Sequence, residues 1–157
     1  MERKKNLYKI AGSFGFNTDD KDSIIVTQKL GIQPHWNWNK GDEHFIKRIN
    51  KTYYRPFGIW GYSAKPIFMD VTDISLMVQG LRELLSDKIE IINELVNEYN
   101  FEFNIRITIY TEEEGACGTS ISKEDLEFLS KTSGRFDISY LTVENVEDPL
   151  LGASLAE

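Results

Sequence analysis

Hydrophobic and polar side chains alternate along several segments of the chain, and this alternation predicts β-strands. In the segment 7–16, apolar or small side chains fall at every second position. A sharper alternation occupies 101–110, where phenylalanine and isoleucine are separated by mainly polar residues. Because successive side chains of a strand point to opposite faces, each segment predicts a strand with one apolar and one wet face. Shorter alternating segments predict two further strands, at 59–63 and 135–143.

A long series of apolar residues spaced by three and four positions, at 74–99, predicts a helix. Thr72 or Asp73, just before the series, supplies a capping oxygen. As one continuous helix it would be about 40 Å long at about 1.5 Å per residue, which exceeds the need of a small domain. We therefore expect a bend near Ser86-Asp87.

Two shorter helices are predicted from local signals at their ends. The segment 24–30 has a short helical pattern and is followed by Gly31, a residue type that often terminates helices. Ser122 begins Ser-Lys-Glu-Asp, which resembles a capping box. We expect the helix after it to bury Leu126 and Leu129.

The segment from His35 to Tyr54 shows no clean period, so we expect a long loop with local structure. It contains two tryptophans, two adjacent tyrosines and several basic residues. Lys40-Gly41-Asp42 is typical of a turn in which the glycine takes a positive backbone angle. Loops of this length in compact domains are often functional.

These elements together predict an α+β fold. Strands of doubly wound parallel sheets are apolar on both faces, whereas the clearest strand here is amphipathic. We expect a two-layer sandwich with a mainly antiparallel or mixed sheet of four or more strands and helices packed on one face. The other face is then free for water or a partner. Residues 1–143 form the single predicted domain, and 144–157 an acidic, irregular C-terminal tail.

Composition narrows the choice of partner. The 157 residues include 18 basic and 25 acidic side chains, which gives a formal net charge of -7. This charge disfavours nucleic acid and favours attraction to a basic protein. No stretch approaches the roughly 20 apolar residues that cross a bilayer, so no membrane partner is predicted. The single Cys117 cannot form an internal disulfide, and the first residues contain no sustained apolar segment, so we expect a cytoplasmic protein.

The sequence predicts no catalytic set, cofactor or metal site. Cys117 lies among glycines, but a reactive thiol needs a base or a positive field, and the two histidines are distant in sequence. His35 and His44 with Asp42 and Glu43 match no familiar metal-binding spacing. We therefore favour ordinary loop histidines and a buried, unreactive cysteine.

The aromatic residues are the better candidates for binding. Tryptophan, tyrosine and arginine dominate interface hot spots. The candidate binding surface consists of Trp36, Trp38, Lys40, Asp42 and Trp60. Large aromatic residues also fill cores, and burial is the favoured interpretation for Trp60. For Trp36 and Trp38, a core position and a surface position are equally favoured.

The order of several landmarks resembles the bacterial domain-of-unknown-function family DUF4279. The landmarks extend over nearly the whole chain, and they are Leu30-Gly31-Ile32-Gln33-Pro34, Trp38, Lys40-Gly41-Asp42, Gly58-Ile59-Trp60, the leucine-rich helix around Leu81, Leu84, Leu85 and Lys88, the segment from Ile121-Ser122 to Leu129, and Phe136-Asp137-Ile138. The resemblance implies a small α/β domain without established catalytic residues. The stretch 45–54 and the tail after Val143 depart from the compact family pattern.

Three functions remain open at this level. The leading one is a non-catalytic protein-binding domain, most concretely an immunity protein that occludes a basic bacterial toxin. Proteins of this small acidic kind resemble the immunity partners of such toxins. The alternative is a small-ligand-binding protein or enzyme with an aromatic pocket around Trp36, Trp38, Trp60 and Cys117. The third is a homo-oligomer formed through a sheet edge or the free sheet face.

Overall fold

The computed structural model of the protein describes residues 7–114, 118–149 and 151. Within these ranges the chain forms eight strands and four α-helices. The strands are β1 (Tyr8–Asp19), β2 (Trp36–Trp38), β3 (Glu43–Ile46), β4 (Lys51–Tyr54), β5 (Gly58–Ser63), β6 (Ile67–Met69), β7 (Glu102–Thr111) and β8 (Gly134–Thr142). The helices are α1 (Ile24–Leu30), α2 (Ser75–Leu85), α3 (Ile89–Asn97) and α4 (Lys123–Ser130), with a 3₁₀ turn at Lys47–Ile49.

Six strands form one mixed sheet in the order β2-β5-β1-β7-β8, and β6 also pairs with β1. The long strand β1 lies at its centre, with β7 along one side and β5 and then β6 along the other. All pairs are antiparallel except β7 and β8, which run parallel. Strands β3 and β4 make a separate antiparallel hairpin. The predicted α+β class and mixed sheet are confirmed.

The core lies between one face of this sheet and the helices. In β1 and β7, Phe14 pairs with Ile105 and Phe16 pairs with Phe103, and all four side chains are buried. Helix α2 passes so close to β1 that a Cβ on Gly12 would collide with the Met77 side chain. The alternation of β1 and β7 therefore separates core-facing from outward-facing positions as predicted.

The long helical series is divided into α2 and α3, and the expected bend is an interruption at residues 86–88. The amide of Lys88 donates to the carbonyl of Leu85 at 2.9 Å and closes this turn. Upstream, the Asp73 carboxylate accepts the backbone amide of Ser75 at 2.8 Å at the start of α2. Gly31 ends α1 with a φ of 69°, also as predicted.

The prediction of a long loop from His35 to Tyr54 is wrong, since this segment contains β2, β3 and β4. These strands have only three or four residues each. Every residue of β4 is exposed, so no apolar alternation marks it in the sequence. The short strand β6 was missed for a similar reason, since three residues carry little periodicity.

Helix α4 begins as predicted, but the expected burial of Leu126 is wrong. The Ser122 side chain accepts the amide of Asp125 at 3.1 Å and caps the helix. The buried residues of α4 are Asp125 and Phe128, whereas Leu126 is 51% exposed and Leu129 is partly buried. On the face toward α2, Asp125 lies 3.2 Å from the guanidinium of Arg82. A charged residue therefore occupies the helix contact that the apolar pattern assigned to leucine.

The segment after β8 is irregular, as expected, but it packs against the strand ends. Val146 is fully buried, and its amide donates to the Glu112 carboxylate at 3.1 Å. The Lys9 ammonium donates to the carbonyl of Leu151 at 2.8 Å. Part of the acidic tail therefore contributes to the fold. None of the helices in the described ranges is long and apolar enough to span a membrane.

Candidate functional site

The sheet has an open face, which is the face turned away from the helices. On β7 the core-facing residues alternate with Glu102, Asn104 and Arg106, which point to the open face. On β1 the residues that pair with these three positions, and that also point to the open face, are Ser13, Gly15 and Asn17. Small side chains at the centre leave the sheet backbone uncovered there.

One row of paired residues crosses the open face through five strands. The pairs run from β2 to β8 through Trp36, Gly61, Gly15, Asn104 and Arg135. An aromatic residue thus stands at one edge, two glycines lie in the middle, and polar residues follow. This arrangement produces the open-face groove, a cavity of about 320 Å³. Its outward side chains are Ser13, Asn17, Trp36, Trp38, Phe57, Ile59, Glu102, Asn104, Arg106 and Arg135.

The indole of Trp36 lies against the backbone of Gly61. A Cβ on Gly61 would collide with three indole atoms, Cε2, Nε1 and Cζ2. Only glycine allows the ring to approach the sheet this closely. Trp36 is therefore partly covered by the sheet and partly available at the groove, which resolves its assignment between core and surface.

Trp38, two residues further along β2, carries a cation–π contact. The guanidinium carbon of Arg55 lies 4.0 Å from the centre of the Trp38 ring. The same guanidinium contacts Nδ1 of His44 at 2.9 Å. Arg55 follows β4, so this contact ties the hairpin to the edge of the main sheet. The Trp38 side chain is partly buried as a result.

The predicted turn around Gly41 is confirmed, with a φ of 88°. The Asp42 carboxylate accepts the backbone amide of Asn39 at 2.7 Å, and the Asn39 side chain accepts the amide of Ser23 at 2.8 Å. Asp42 therefore holds the turn together, whereas Lys40 is exposed beside it. Both candidate residues are exposed, and the Asp42 carboxylate also accepts a hydrogen bond within the turn.

Trp60 does not belong to the exposed surface. Its side chain is fully buried on the helix side of the sheet, and its indole nitrogen donates to the Thr27 hydroxyl at 2.8 Å. The burial prediction for Trp60 is confirmed, and its inclusion in the candidate binding surface is corrected. Strand alternation explains the difference, because Trp36 pairs with Gly61 and so faces opposite to the Trp60 side chain.

The arginines of the groove were not singled out from the sequence. Arg135 makes an ion pair with Asp137 at 2.9 Å. Arg106 is exposed and forms no ion pair with any residue in the described part of the chain, although it is in register with Asp137. The polar positions of β7 and β8 marked both arginines as outward-facing. Their proximity depends on the parallel pairing of these strands, which no local sequence signal reveals.

The acidic turns do not form one surface. Tyr8 pairs with Thr111, whereas Asn17 pairs with Glu102. Asp19-Asp20 therefore lies at one end of the central strands and Glu112–Glu114 at the other. The twelve residues of β1 separate the two ends by about 35 Å at about 3.3 Å per residue. A partner bound at one turn does not reach the other turn unless it spans the sheet.

The two histidines occupy different local structures. Nδ1 of His35 accepts the amide of Ser63 at 3.0 Å, and its ring meets the edge of Tyr62, with the ring centres 4.7 Å apart. His44 contacts Arg55, as described above. Among residues 7–114 and 118–149, no three His, Cys, Asp or Glu side chains cluster as metal ligands. Cys117, the remaining candidate, lies outside the described residues.

Three groups with shifted pKa values lie outside the groove. Burial raises the pKa of Tyr110. A hydrogen bond to Glu94 raises the pKa of Lys29, and hydrogen bonds from Ser75 lower the pKa of Asp73. Each shift follows from local packing or pairing.

The fold and the groove together define an α+β domain with a one-sided helical layer and an open sheet face. The sequence matches the family model described as domain of unknown function (DUF4279) over residues 7–142. The chain belongs to this family. No curated protein and no solved structure matches it.

Proposed function

We propose that this chain is a non-catalytic protein-binding domain whose contact surface is the aromatic segment, residues 45–57. The observation that carries the proposal is a concentration of exposed apolar side chains in one short stretch. Five large hydrophobic residues there are 39 to 66% exposed, namely Phe45, Ile49, Tyr53, Tyr54 and Phe57. On the hairpin, Phe45 and Tyr54 share one face and Tyr53 lies on the other. Exposed apolar side chains that share a face are typical of interaction sites.

The geometry of the hairpin supports a protein partner. Strands β3 and β4 pair only with each other among the described strands, so they form a hairpin separate from the main sheet. Arg55 anchors the hairpin base against Trp38 through the 4.0 Å contact. Aromatic side chains on an anchored hairpin lose little conformational freedom on binding, which favours affinity.

The most concrete form of this proposal is a cytoplasmic immunity protein that neutralises a basic bacterial toxin. The formal net charge of -7 supports it, because long-range attraction would accelerate association with a basic partner. The charge is unevenly distributed. Between Glu43 and Arg55 the sequence has four basic side chains and one carboxylate. The carboxylates elsewhere on the chain supply the long-range attraction, whereas the hairpin supplies aromatic contacts and its local basic charge opposes a basic partner.

Co-expression with the product of the neighbouring gene tests this proposal. We expect a complex on size-exclusion chromatography and relief of toxicity. Tyr54→Ala should weaken the complex about tenfold or more, the effect of losing an aromatic hot spot. Phe68→Ala is the matched control, since Phe68 is 48% exposed but lies on β6. Absence of both complex and protection would reject the immunity role.

A second candidate function is supported by the open-face groove. Its cavity of about 320 Å³ combines an aromatic wall with polar groups, which is the usual composition of small-ligand sites. We propose that the groove binds a small molecule. A metabolite screen by thermal shift tests this, because a ligand that binds only the folded state raises the unfolding temperature. No reproducible stabilisation across the screen would remove this candidate.

A further inference from the structure

We propose that the open-face groove selects a flat organic carboxylate, with Arg106 binding the carboxylate and Trp36 stacking on the flat group. This inference rests on the second candidate function and adds the chemical class of the ligand. It depends on three features of the groove: its floor, its aromatic wall and its cation.

The floor of the groove admits a flat group close to the sheet. Gly15 and Gly61 pair at its centre, and neither projects a side chain. Adding a Cβ to Gly15 would bring that atom within 2.8 Å of the Trp60 carbonyl oxygen. The Trp36 indole covers Gly61, so the uncovered part of the floor is centred on Gly15 and extends to β7, about 5 Å away at about 4.8 Å per strand. A planar group fits over Gly15 beside the indole.

The aromatic wall stands at the β2 side of that floor. The Trp36 ring lies against Gly61, where it occupies the space that an added Cβ would need. An indole fixed in this way offers a preorganised surface to a second flat group, and such pairs prefer offset stacking. Trp38 and Phe57 extend the wall at the same cavity.

The cation lies across the floor from the wall. Arg106 pairs in register with Ser13, which places a hydroxyl-bearing residue beside it. Its neighbour Arg135 is already engaged by Asp137 at 2.9 Å. Arg106 is exposed, and Asp137, the residue in register with it on β8, is the partner of Arg135, so the Arg106 guanidinium can meet a ligand in the groove. A guanidinium binds a carboxylate in bidentate fashion, through two parallel hydrogen bonds.

The charge of the remaining protein disfavours a polyanion. Glu102 also lines the groove, and the whole chain carries a formal charge of -7. A polyanion such as a nucleic acid meets greater repulsion from this field than a single carboxylate does. The cavity of about 320 Å³ is also near the lower end of ligand-pocket volumes. A small ring-bearing carboxylate satisfies both conditions.

Calorimetric titration with 2-naphthoate, 2-naphthamide and acetate separates the two contacts, with titration to about 1 mM. The naphthamide has the same rings without the charge, and acetate has the charge without the rings. We expect binding of 2-naphthoate only, with amide chemical-shift changes at Gly15, Gly61 and Arg106. Arg106→Gln should weaken it about tenfold or more, as expected for loss of a charged hydrogen-bonded pair. Arg48→Gln, on the hairpin, should leave the affinity unchanged.

The outcomes distinguish this inference from the function on which it rests. Equal binding of naphthoate and naphthamide, or unchanged affinity in Arg106→Gln, would overturn the carboxylate assignment and leave the groove as a ligand site. Shift changes confined to the hairpin would overturn the location. Failure of naphthoate, together with metabolite stabilisation in the thermal-shift screen, would overturn the ligand class alone. Failure in both measurements would reject the inference and the second candidate function together.

Discussion

The indole of Trp36 rests on the backbone of Gly61, so closely that a Cβ at position 61 would collide with Cε2 of the ring. This contact places a large aromatic ring on the open face of the sheet and defines one wall of the groove. It also links two residues that lie 25 positions apart in the sequence. Strand β2 has only three residues, and all three pair with β5.

Gly61→Ala should displace the Trp36 ring and destabilise the protein by roughly 1 to 3 kcal/mol, the range for overpacked sites. The indole N–H signal of Trp36 should shift in an NMR spectrum while that of Trp60 stays in place. Gly80→Ala is the control, because nothing lies within 4 Å of the added Cβ in α2. The free energy of unfolding of that variant, measured in urea, should be higher by roughly 0.5 to 1 kcal/mol. An unmoved Trp36 signal in Gly61→Ala would contradict the contact.

Leu81→Ala should cost roughly 2 to 5 kcal/mol in urea unfolding, the range for removing a buried large side chain. Leu81 is only 1% exposed and belongs to the central core. Leu126→Ala makes the same chemical change at a site that is 51% exposed. It should change the free energy of unfolding by less than about 0.5 kcal/mol. Similar losses in both variants would be inconsistent with the orientation of α4.

Asp73 should make stability depend on pH at acidic values. Its hydrogen bonds with Ser75 lower its pKa below the ordinary 3.8. Because the folded pKa lies below the unfolded pKa, the contribution is complete above 3.8 and is lost as pH falls through the folded pKa. Asp73→Ala should therefore cost roughly 0.5 to 2 kcal/mol at neutral pH, as for a lost helix cap. The difference from the parent protein should stay constant in urea titrations from about pH 7 to pH 4 and shrink as the pH falls further, toward about pH 2. A difference that stays constant down to about pH 2 would show that the carboxylate charge contributes nothing.

Arg55→Ala should loosen the hairpin from the main sheet. The variant loses a cation–π contact of 4.0 Å with Trp38 and a hydrogen bond with His44. We expect a loss of roughly 0.5 to 1 kcal/mol and a shifted Trp38 indole N–H signal. Arg55→Lys keeps the charge but cannot present a planar group to the ring, so it should restore only part of the loss. Complete restoration by lysine would show that charge alone matters here.

The pattern of side chains predicted much of the core but little of the site. The alternation in β1 and β7 identified the buried faces, since the period of a strand is a local property. The interruption between α2 and α3 and the capping role of Ser122 were predictable for the same reason. Leu126 shows where prediction from the local pattern fails. The side of a short helix that packs against the domain depends on the residues of the neighbouring element. Here that residue is Arg82, which holds Asp125 at 3.2 Å.

Local patterns in the chain were sufficient to establish the α+β class, the order of the long elements and the membership of most core positions. Three features of the site emerged from the folded arrangement instead: Trp36 and Trp60 lie on opposite faces, Arg106 and Arg135 converge on one groove, and the acidic turns are far apart. The physical reason is that strand pairing joins residues distant in the chain. The register of that pairing is set by the packing of the whole sheet, and no single segment encodes it.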